Sequence, residues 1–187
     1  MNTNEAQDIV EEVFQLYTRK GDEAYHGEPV SQLQHMLQAA TLAINEQFDD
    51  ETVLAAFFHD IGHLLESSES MGDYGVVDHE KLGASYLESR GFGDKIVDLV
   101  KRHVEAKRYL TAIDPTYYPN LSRASKATLQ YQGGPMNEEE IKVLEKDPLK
   151  ELIIKMRTWD EAAKVPEMDT VTLDILKKMT LRYLMQR

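Results

Sequence analysis

The stretch LAAFFHDIGH, residues 54–63, decides how this chain is interpreted. An apolar run leads directly into adjacent His59 and Asp60, which places the pair at the buried end of a predicted helix. A buried aspartate is unfavourable unless its charge is compensated. A metal ion compensates it, and the two oxygens of one aspartate can bridge two ions. His63 follows Asp60 by three residues and shares its helix face. By itself, a His-Asp pair is common by chance, and a lone histidine on an apolar face is usually an ordinary core residue.

The histidine spacing strengthens the metal hypothesis. Four of the six histidines recur at intervals of 24, 20 and 24 residues: His35, His59, His79 and His103. Each lies within or beside a different predicted helix. Helical bundles build metal sites in this way, with inward-pointing ligands contributed by several helices.

The rest of the chain reads as helices joined by loops. Apolar residues recur at spacings of three and four, and no long alternating pattern of the kind that marks a strand is visible. The predicted helices cover residues 3–19, 30–47, 51–65, 78–90, 93–107, 122–131, a short segment after Asn137, 148–160 and 169–185. The sequence therefore predicts an all-α helical bundle formed by one domain over residues 1–187.

Composition limits the chemistry. There are no cysteines, so a metal must be bound by nitrogen and oxygen ligands, which suit iron, manganese or zinc. The net charge of −12 argues against a nucleic-acid partner, because phosphate backbones require clustered Lys and Arg. No signal segment and no apolar run of about 20 residues is visible, so we expect no membrane span and a cytoplasmic protein. The oligomeric state stays open between a monomer and a small homo-oligomer.

The order of the ligand-type residues resembles that of the HD-domain superfamily of metal-dependent phosphohydrolases. The matching residues are His35, His59, Asp60, His79, His103 and Asp160. In two-metal members, the resemblance implies that Asp60 bridges the ions. One ion would take His35, His59, Asp60 and Asp160, and the other would take Asp60, His79 and His103.

Longer stretches resemble one branch, the HD-domain mixed-valent diiron oxygenases that cleave carbon–phosphorus bonds. The matching stretches are Tyr25–Glu28, Gln32–His35, Leu54–His63, Tyr74–Val76, His79–Lys81, His103–Leu110, Tyr131–Met136 and Arg157–Glu161. The likeness runs from about residue 20 to 165. It implies an Fe(II)/Fe(III) pair that binds an α-hydroxyphosphonate and uses dioxygen to release phosphate and a carboxylic acid.

The resemblance also implies roles for residues around the metals. The phosphonate oxygens would be held by His63, Lys107, Ser125, Thr128 and Arg157. Lys107 follows His103 by four residues, so the two share a helix face. Taken alone, Lys107 and Arg157 would be read as solvated surface charges.

Tyr25 and Glu28 lie in the irregular segment 21–29, and a loop beside a metal site is a suitable place for a mobile lid. The resemblance implies that Tyr25 ligates the iron that will bind dioxygen and leaves when substrate arrives. It implies that Glu28 senses the substrate amine. The simpler interpretation is that Tyr25 packs beneath a loop. Pro29 and His26 make this segment unusual, and His26 has no assigned role.

Two other functions compete with the oxygenase. An HD site with Mn²⁺, Mg²⁺ or Zn²⁺ can generate a hydroxide that hydrolyses a phosphoester. An HD fold can also be kept as a binding module, but all six ligand residues are present here.

The candidate substrates are 2-amino-1-hydroxyethylphosphonate, its N-trimethyl analogue and hydroxymethylphosphonate. Glu28 favours a cationic amine, and we expect the primary amine.

Overall fold

The computed structural model describes residues 1–25, 27–66 and 75–187. The helices are α1 (Thr3–Lys20), α2 (Gln32–Asn45), α3 (Asp50–Phe58), α4 (His79–Glu88), α5 (Asp94–Ile113), α6 (Tyr117–Asn120), α7 (Arg123–Tyr131), α8 (Glu138–Glu145), α9 (Lys150–Ala162) and α10 (Leu173–Met185). The described ranges contain no β-strand, and one isolated bridge joins Ala24 and Ser31. The prediction of an all-α chain is confirmed.

The predicted helix over 51–65 is wrong at its C-terminal end. Helix α3 begins as predicted, after Asp49, whose side chain accepts a hydrogen bond from the backbone N–H of Thr52. It ends at Phe58, and a 3-10 turn follows over Ile61–Leu64. Gly62 lies in this turn against the start of α4, where a Cβ atom would stand 1.9 Å from the backbone oxygen of His79. The glycine therefore allows the close approach that brings the His59-Asp60 pair to His79.

Helix α5 is the central element of the bundle. It packs against α3, α4 and α9, while α2 packs against α3 and α9 and α1 packs against α10. The predicted helix over 93–107 is too short, because α5 continues to Ile113. His103 and Lys107 lie together on this helix, as predicted, and the extension adds residues 108–113. One end of the core is closed by rings, with Tyr17 stacked on Phe57 at 4.6 Å between centroids.

Among the described helices, none combines the length and the apolar character that crossing a bilayer requires.

Candidate metal centre and active site

Four histidines from four places in the chain converge in the interior. His35 lies near the start of α2, His59 directly follows α3, His79 opens α4, and His103 lies midway along α5. Each is at most 4% exposed. The metal-ligand histidines predicted from spacing are therefore brought together.

Backbone carbonyls orient three of the four rings. The Nδ1 atom of each lies 2.7–2.8 Å from a carbonyl oxygen, so Nδ1 carries the proton and donates it. The pairs are His35 with Ala163, His59 with Ala56, and His103 with Val100. The Nε2 atoms of His35 and His59 then face each other as lone pairs only 3.0 Å apart. Such an arrangement requires a cation between them, either a proton or a metal ion.

Asp60 lies between two histidine pairs and is 2% exposed. Its Oδ1 atom lies 3.3 Å from Nε2 of both His79 and His103. Its Oδ2 atom lies 3.4 Å from Nε2 of His59 and 3.5 Å from that of His35. The two oxygens of one carboxylate thus face two different pairs of nitrogen donors.

Asp160, near the end of α9, completes the first group. Its Oδ1 atom is buried without a hydrogen-bond donor among the described residues and lies 3.5 Å from His35 Nε2. A buried carboxylate oxygen without a donor is costly unless a cation binds it. The residues present therefore fit two metal ions, one near His35, His59 and Asp160 and one near Asp60, His79 and His103.

Both aspartates are ionised. Burial opposes their charge, but His59, His103 and His35 hold the pKa of Asp60 well below its usual range. Arg157 and Lys164 do the same to the pKa of Asp160. Burial lowers the pKa of His59, but Asp60, Asp160 and the Ala56 carbonyl together raise it to about 9. In the absence of metal, a proton on His59 thus fills the place of a cation, and metal binding would release it.

His79 differs from the other three histidines. Its Nδ1 atom lies 3.7 Å from Oε2 of Glu80, and within the part of the chain that the structure describes neither atom has a hydrogen-bond partner. Glu80 is 5% exposed, so its carboxyl group is buried beside the ring. Carboxylates commonly orient metal-bound histidines from this side. The sequence interpretation did not single out Glu80, although its adjacency to His79 was visible.

The predicted anion-binding residues line the same cavity as the ligands. Lys107 is 3% exposed, and its Nζ donates to Thr128 Oγ1 at 2.7 Å and to the Ser125 carbonyl at 3.3 Å. Burial, followed by the charge of Arg157, lowers the pKa of Lys107 to about 7. The alternative of a solvated surface lysine is wrong.

Arg157 connects the anion-binding wall to the metal centre. It is 4% exposed, so the surface interpretation fails here as well. Its Nη1 donates to Asp160 Oδ2 and its Nη2 donates to Ser125 Oγ at 3.2 Å. Its Nε donates to Tyr117 and Glu161, neither of which the sequence interpretation assigned to supporting Arg157. The second oxygen of Asp160 is thereby held by Arg157, which leaves the first oxygen turned toward His35.

Tyr25 closes the cavity above the first metal group. Its hydroxyl donates to Asp60 Oδ2 at 2.9 Å, and its ring stacks on His35 at 4.0 Å between centroids. Burial, and then the charge of Asp60, raise the pKa of Tyr25 well above its usual value, so the phenol keeps its proton. Tyr25 is therefore placed at the ligands themselves and not merely beneath a loop.

Glu28 lies three residues further along the same loop, and two groups hold it. Its Oε1 atom accepts hydrogen bonds from Ser122 Oγ at 2.8 Å and from Lys164 Nζ at 3.0 Å. Lys164 is a residue that the sequence interpretation missed. The loop that carries Tyr25 and Glu28 is thus attached to the start of α7 and to the segment after α9.

His63 lies on the opposite side of the cavity. Its ring stacks on His79 at 4.0 Å between centroids, and its Nδ1 accepts the backbone N–H of Val76 at 3.2 Å. This bond fixes the tautomer of the neutral ring with the proton on Nε2. The remaining sequence features, His26 and Tyr74, lie outside the described residues.

The cavity enclosed by these residues has a volume of about 50 Å³. This is room for a few water molecules, since each requires about 10–15 Å³ by this measure. An organophosphonate is larger, and Tyr25 forms part of the cavity wall. That Tyr25 and Glu28 belong to a mobile lid stays a prediction.

The chain is similar, over most of its length, to a protein family and to individual known proteins. The HD domain family matches residues 32–156. The chain is 44% identical over 164 residues to the [1-hydroxy-2-(trimethylamino)ethyl]phosphonate dioxygenase (glycine-betaine-forming) of Leisingera caerulea, covering 87% of this chain and 83% of that protein. It is 36% identical over 159 residues to the hydroxymethylphosphonate dioxygenase of Gimesia maris, covering 83% and 78%. An uncharacterized protein of Acanthamoeba polyphaga mimivirus is 39% identical over 188 residues, covering 98% and 86%.

Proposed function

The chain belongs to the HD-domain family, in the group that includes phosphonate dioxygenases, and we propose that it is a diiron oxygenase of α-hydroxyphosphonates. The observation that carries this proposal is the position of Tyr25, whose hydroxyl reaches the aspartate shared by the two ligand groups. A phosphohydrolase has no obvious need for a phenol at this position. An oxygenase benefits from a removable phenol that covers the metals until substrate is present.

Two iron ions are the proposed cofactors. His35, His59 and Asp160 would hold one, His79 and His103 would hold the other, and Asp60 would bridge them. Iron, when bound, supplies the one-electron chemistry that dioxygen requires. The support for iron comes from the relatives, because the nitrogen and oxygen donors alone also suit manganese and zinc.

The protein residues bind and orient the phosphonate. Lys107 and Arg157 supply positive charge, and the planar guanidinium can present two N–H donors to a tetrahedral oxyanion. Ser125 and Thr128 supply hydroxyl groups beside them. His63 lines the same cavity. These donors compensate the phosphonate charge and exclude water from the C1 carbon that is oxidised.

The proposed substrate is 2-amino-1-hydroxyethylphosphonate, which one dioxygen molecule converts to glycine and phosphate. All atoms are accounted for, because the two oxygen atoms end in the glycine carboxylate and in phosphate. Glu28 is the carboxylate available for the ammonium group, since it lines the cavity beside Tyr25. The N-trimethyl analogue and hydroxymethylphosphonate are the alternatives, and relatives named for those substrates support testing both.

The remaining parts of the proposal concern the whole chain. We propose one HD domain over residues 1–187, located in the cytoplasm, with no nucleic-acid partner. Its partners would be a small organophosphonate and dioxygen, and it would act as a monomer or a small homo-oligomer.

The test is a phosphate-release assay with controlled oxygen. Iron-loaded protein is mixed anaerobically with each of the three hydroxyphosphonates and then exposed to dioxygen, with a phosphoester such as p-nitrophenyl phosphate as control. We expect phosphate only after oxygen is admitted, with ¹⁸O from labelled dioxygen found in the carboxylic acid. Oxygen-independent release from the phosphoester, with none from the hydroxyphosphonates, would falsify the oxygenase and establish a hydrolase.

A further inference from the structure

Lys164 is held in a fixed position at the edge of the metal centre. The residue before it, Ala163, accepts a hydrogen bond at its carbonyl from His35 Nδ1 at 2.8 Å. The residue after it, Val165, makes two hydrogen bonds with the Gln38 side chain, at 2.8 Å through its carbonyl and 3.0 Å through its N–H. The backbone on both sides of Lys164 is therefore attached to α2. The Lys164 side chain therefore starts from a fixed backbone position close to the metal-ligand residues.

The side chain of Lys164 ends in the substrate cavity as an internal cation. Its Nζ donates to Glu28 Oε1 at 3.0 Å and lies 5.8 Å from the centre of the Tyr25 ring. The side chains of Glu28 and Lys164 are only 10% and 14% exposed. The ion pair is thus mostly buried, where an unpaired charge would be strongly unfavourable.

We infer that Lys164 is a specificity-determining residue, which sets the balance between aminated and uncharged hydroxyphosphonates. The inference rests on the proposed function. Glu28 is the carboxylate that a substrate ammonium would use, and Lys164 already occupies it. Lys164 holds Oε1 of this carboxylate, so an aminated substrate must share Glu28 with a resident cation or displace it, whereas a substrate without the amine leaves the Glu28–Lys164 pair intact.

The consequence follows from comparing the two ligands. With Lys164 present, hydroxymethylphosphonate binds without leaving a buried carboxylate unpaired. Without Lys164, bound hydroxymethylphosphonate leaves the Glu28 carboxylate buried without a cation, whereas an aminated ligand provides that cation. Removing Lys164 should therefore favour the aminated ligand by about tenfold or more, which is the effect expected when a buried charged group loses its partner.

The test measures binding under anaerobic conditions, so that no turnover occurs. Dissociation constants of 2-amino-1-hydroxyethylphosphonate and hydroxymethylphosphonate are determined by calorimetry for the metal-loaded wild type and for Lys164→Met, which keeps the length of the side chain. We expect the ratio of affinities, amine to hydroxymethyl, to rise about tenfold or more in Lys164→Met. Lys164→Arg keeps the charge and should retain the wild-type ratio.

Repeating the measurement in the Glu28→Gln variant shows whether the change in the ratio of affinities depends on the Glu28 carboxylate. In Glu28→Gln, the substitution Lys164→Met should leave the ratio unchanged within about threefold, because no carboxylate remains to be paired. Lys164→Gln repeats the test if Lys164→Met does not fold. A ratio unchanged in both neutral variants, an equal shift in Lys164→Arg, or a shift that persists in the Glu28→Gln background overturns the inference. A wild-type protein that binds neither ligand overturns the proposed function and the inference with it.

Discussion

Substitution of Asp60 by Ala should release both metal ions, whereas substitution of Asp160 by Ala should release only one. The two aspartates are matched in chemistry and are both buried. They differ in geometry, because the two oxygens of Asp60 face different histidine pairs, while only Oδ1 of Asp160 is turned toward a histidine. The comparison therefore tests the bridging role and not only the need for a carboxylate.

The expected loss of metal affinity follows from the number of ligands that each substitution removes. Losing a residue that only supports a ligand typically weakens metal binding 10–100-fold, so losing a ligand should weaken it by at least about 100-fold. This corresponds to about 2.8 kcal/mol at each affected site. Asp60→Ala should incur that loss at both sites. Asp160→Ala should incur it near His35 and His59 and change the affinity near His79 and His103 by less than about threefold.

The assay is metal content per chain by mass spectrometry, after anaerobic loading with Fe(II) and competition with a graded series of chelators. Circular dichroism and thermal melting check that each variant folds. The expected order is two ions in the wild type, one in Asp160→Ala and none in Asp60→Ala under intermediate competition. If Asp60→Ala keeps one ion with unchanged affinity, Asp60 does not bridge, and the division into two groups must be redrawn.

Three further substitutions test the surroundings of the metals. Tyr25→Phe removes the hydroxyl that reaches Asp60 but keeps the ring that stacks on His35. Dioxygen uptake without substrate, measured with an oxygen electrode, should therefore rise several-fold. Unchanged uptake would argue against a gate. Lys107 has a pKa of about 7, so its positive charge is lost as pH rises through 7. Above that pH, phosphate binding should be accompanied by uptake of a proton, and the affinity for phosphate should fall by up to about tenfold per pH unit. Calorimetry in two buffers with different ionisation heats should detect this uptake in the wild type, and its persistence in Lys107→Met would assign it to another group. Glu80→Gln should lower metal affinity about 10–100-fold at the His79 group alone, because only His79 lies beside Glu80. The same chelator competition measures this affinity. A loss of metal affinity at the His35 group instead would contradict the proposed role of the Glu80–His79 contact.

The sequence predicted the parts of the structure that depend on short-range pattern. The helical class follows from apolar spacing, and Lys107 shares a face with His103 because both lie on one helix. The convergence of the metal-ligand residues was predicted from one-per-helix spacing and from resemblance. The break after Phe58 was not predicted, because Gly62 is needed only when the backbone of His79 packs against it.

Residues that act through distant partners were not predictable in the same way. Lys164 and Glu28 are 136 positions apart, and nothing near either of them in the chain indicates that they pair. Tyr117 supports Arg157 from 40 positions away, within a segment that the sequence indicated only as a loop. Such contacts depend on how the helices pack, which composition and periodicity do not encode for individual residues.

The charges around the cavity imply that metal binding and anion binding are coupled. Without metal, the carboxylates of Asp60 and Asp160 lie beside Lys107 and Arg157 and oppose a phosphonate. Two bound cations reverse that local field, although the chain as a whole carries a net charge of −12. We therefore expect the metal-free protein to bind phosphate at least about tenfold more weakly than the metal-loaded protein, measured by calorimetry. Linkage requires that phosphate then strengthens metal binding by the same factor in the chelator competition. If phosphate affinity is the same with and without metal, the anion binds away from the ligands, and the cavity is not the place where the phosphonate meets them.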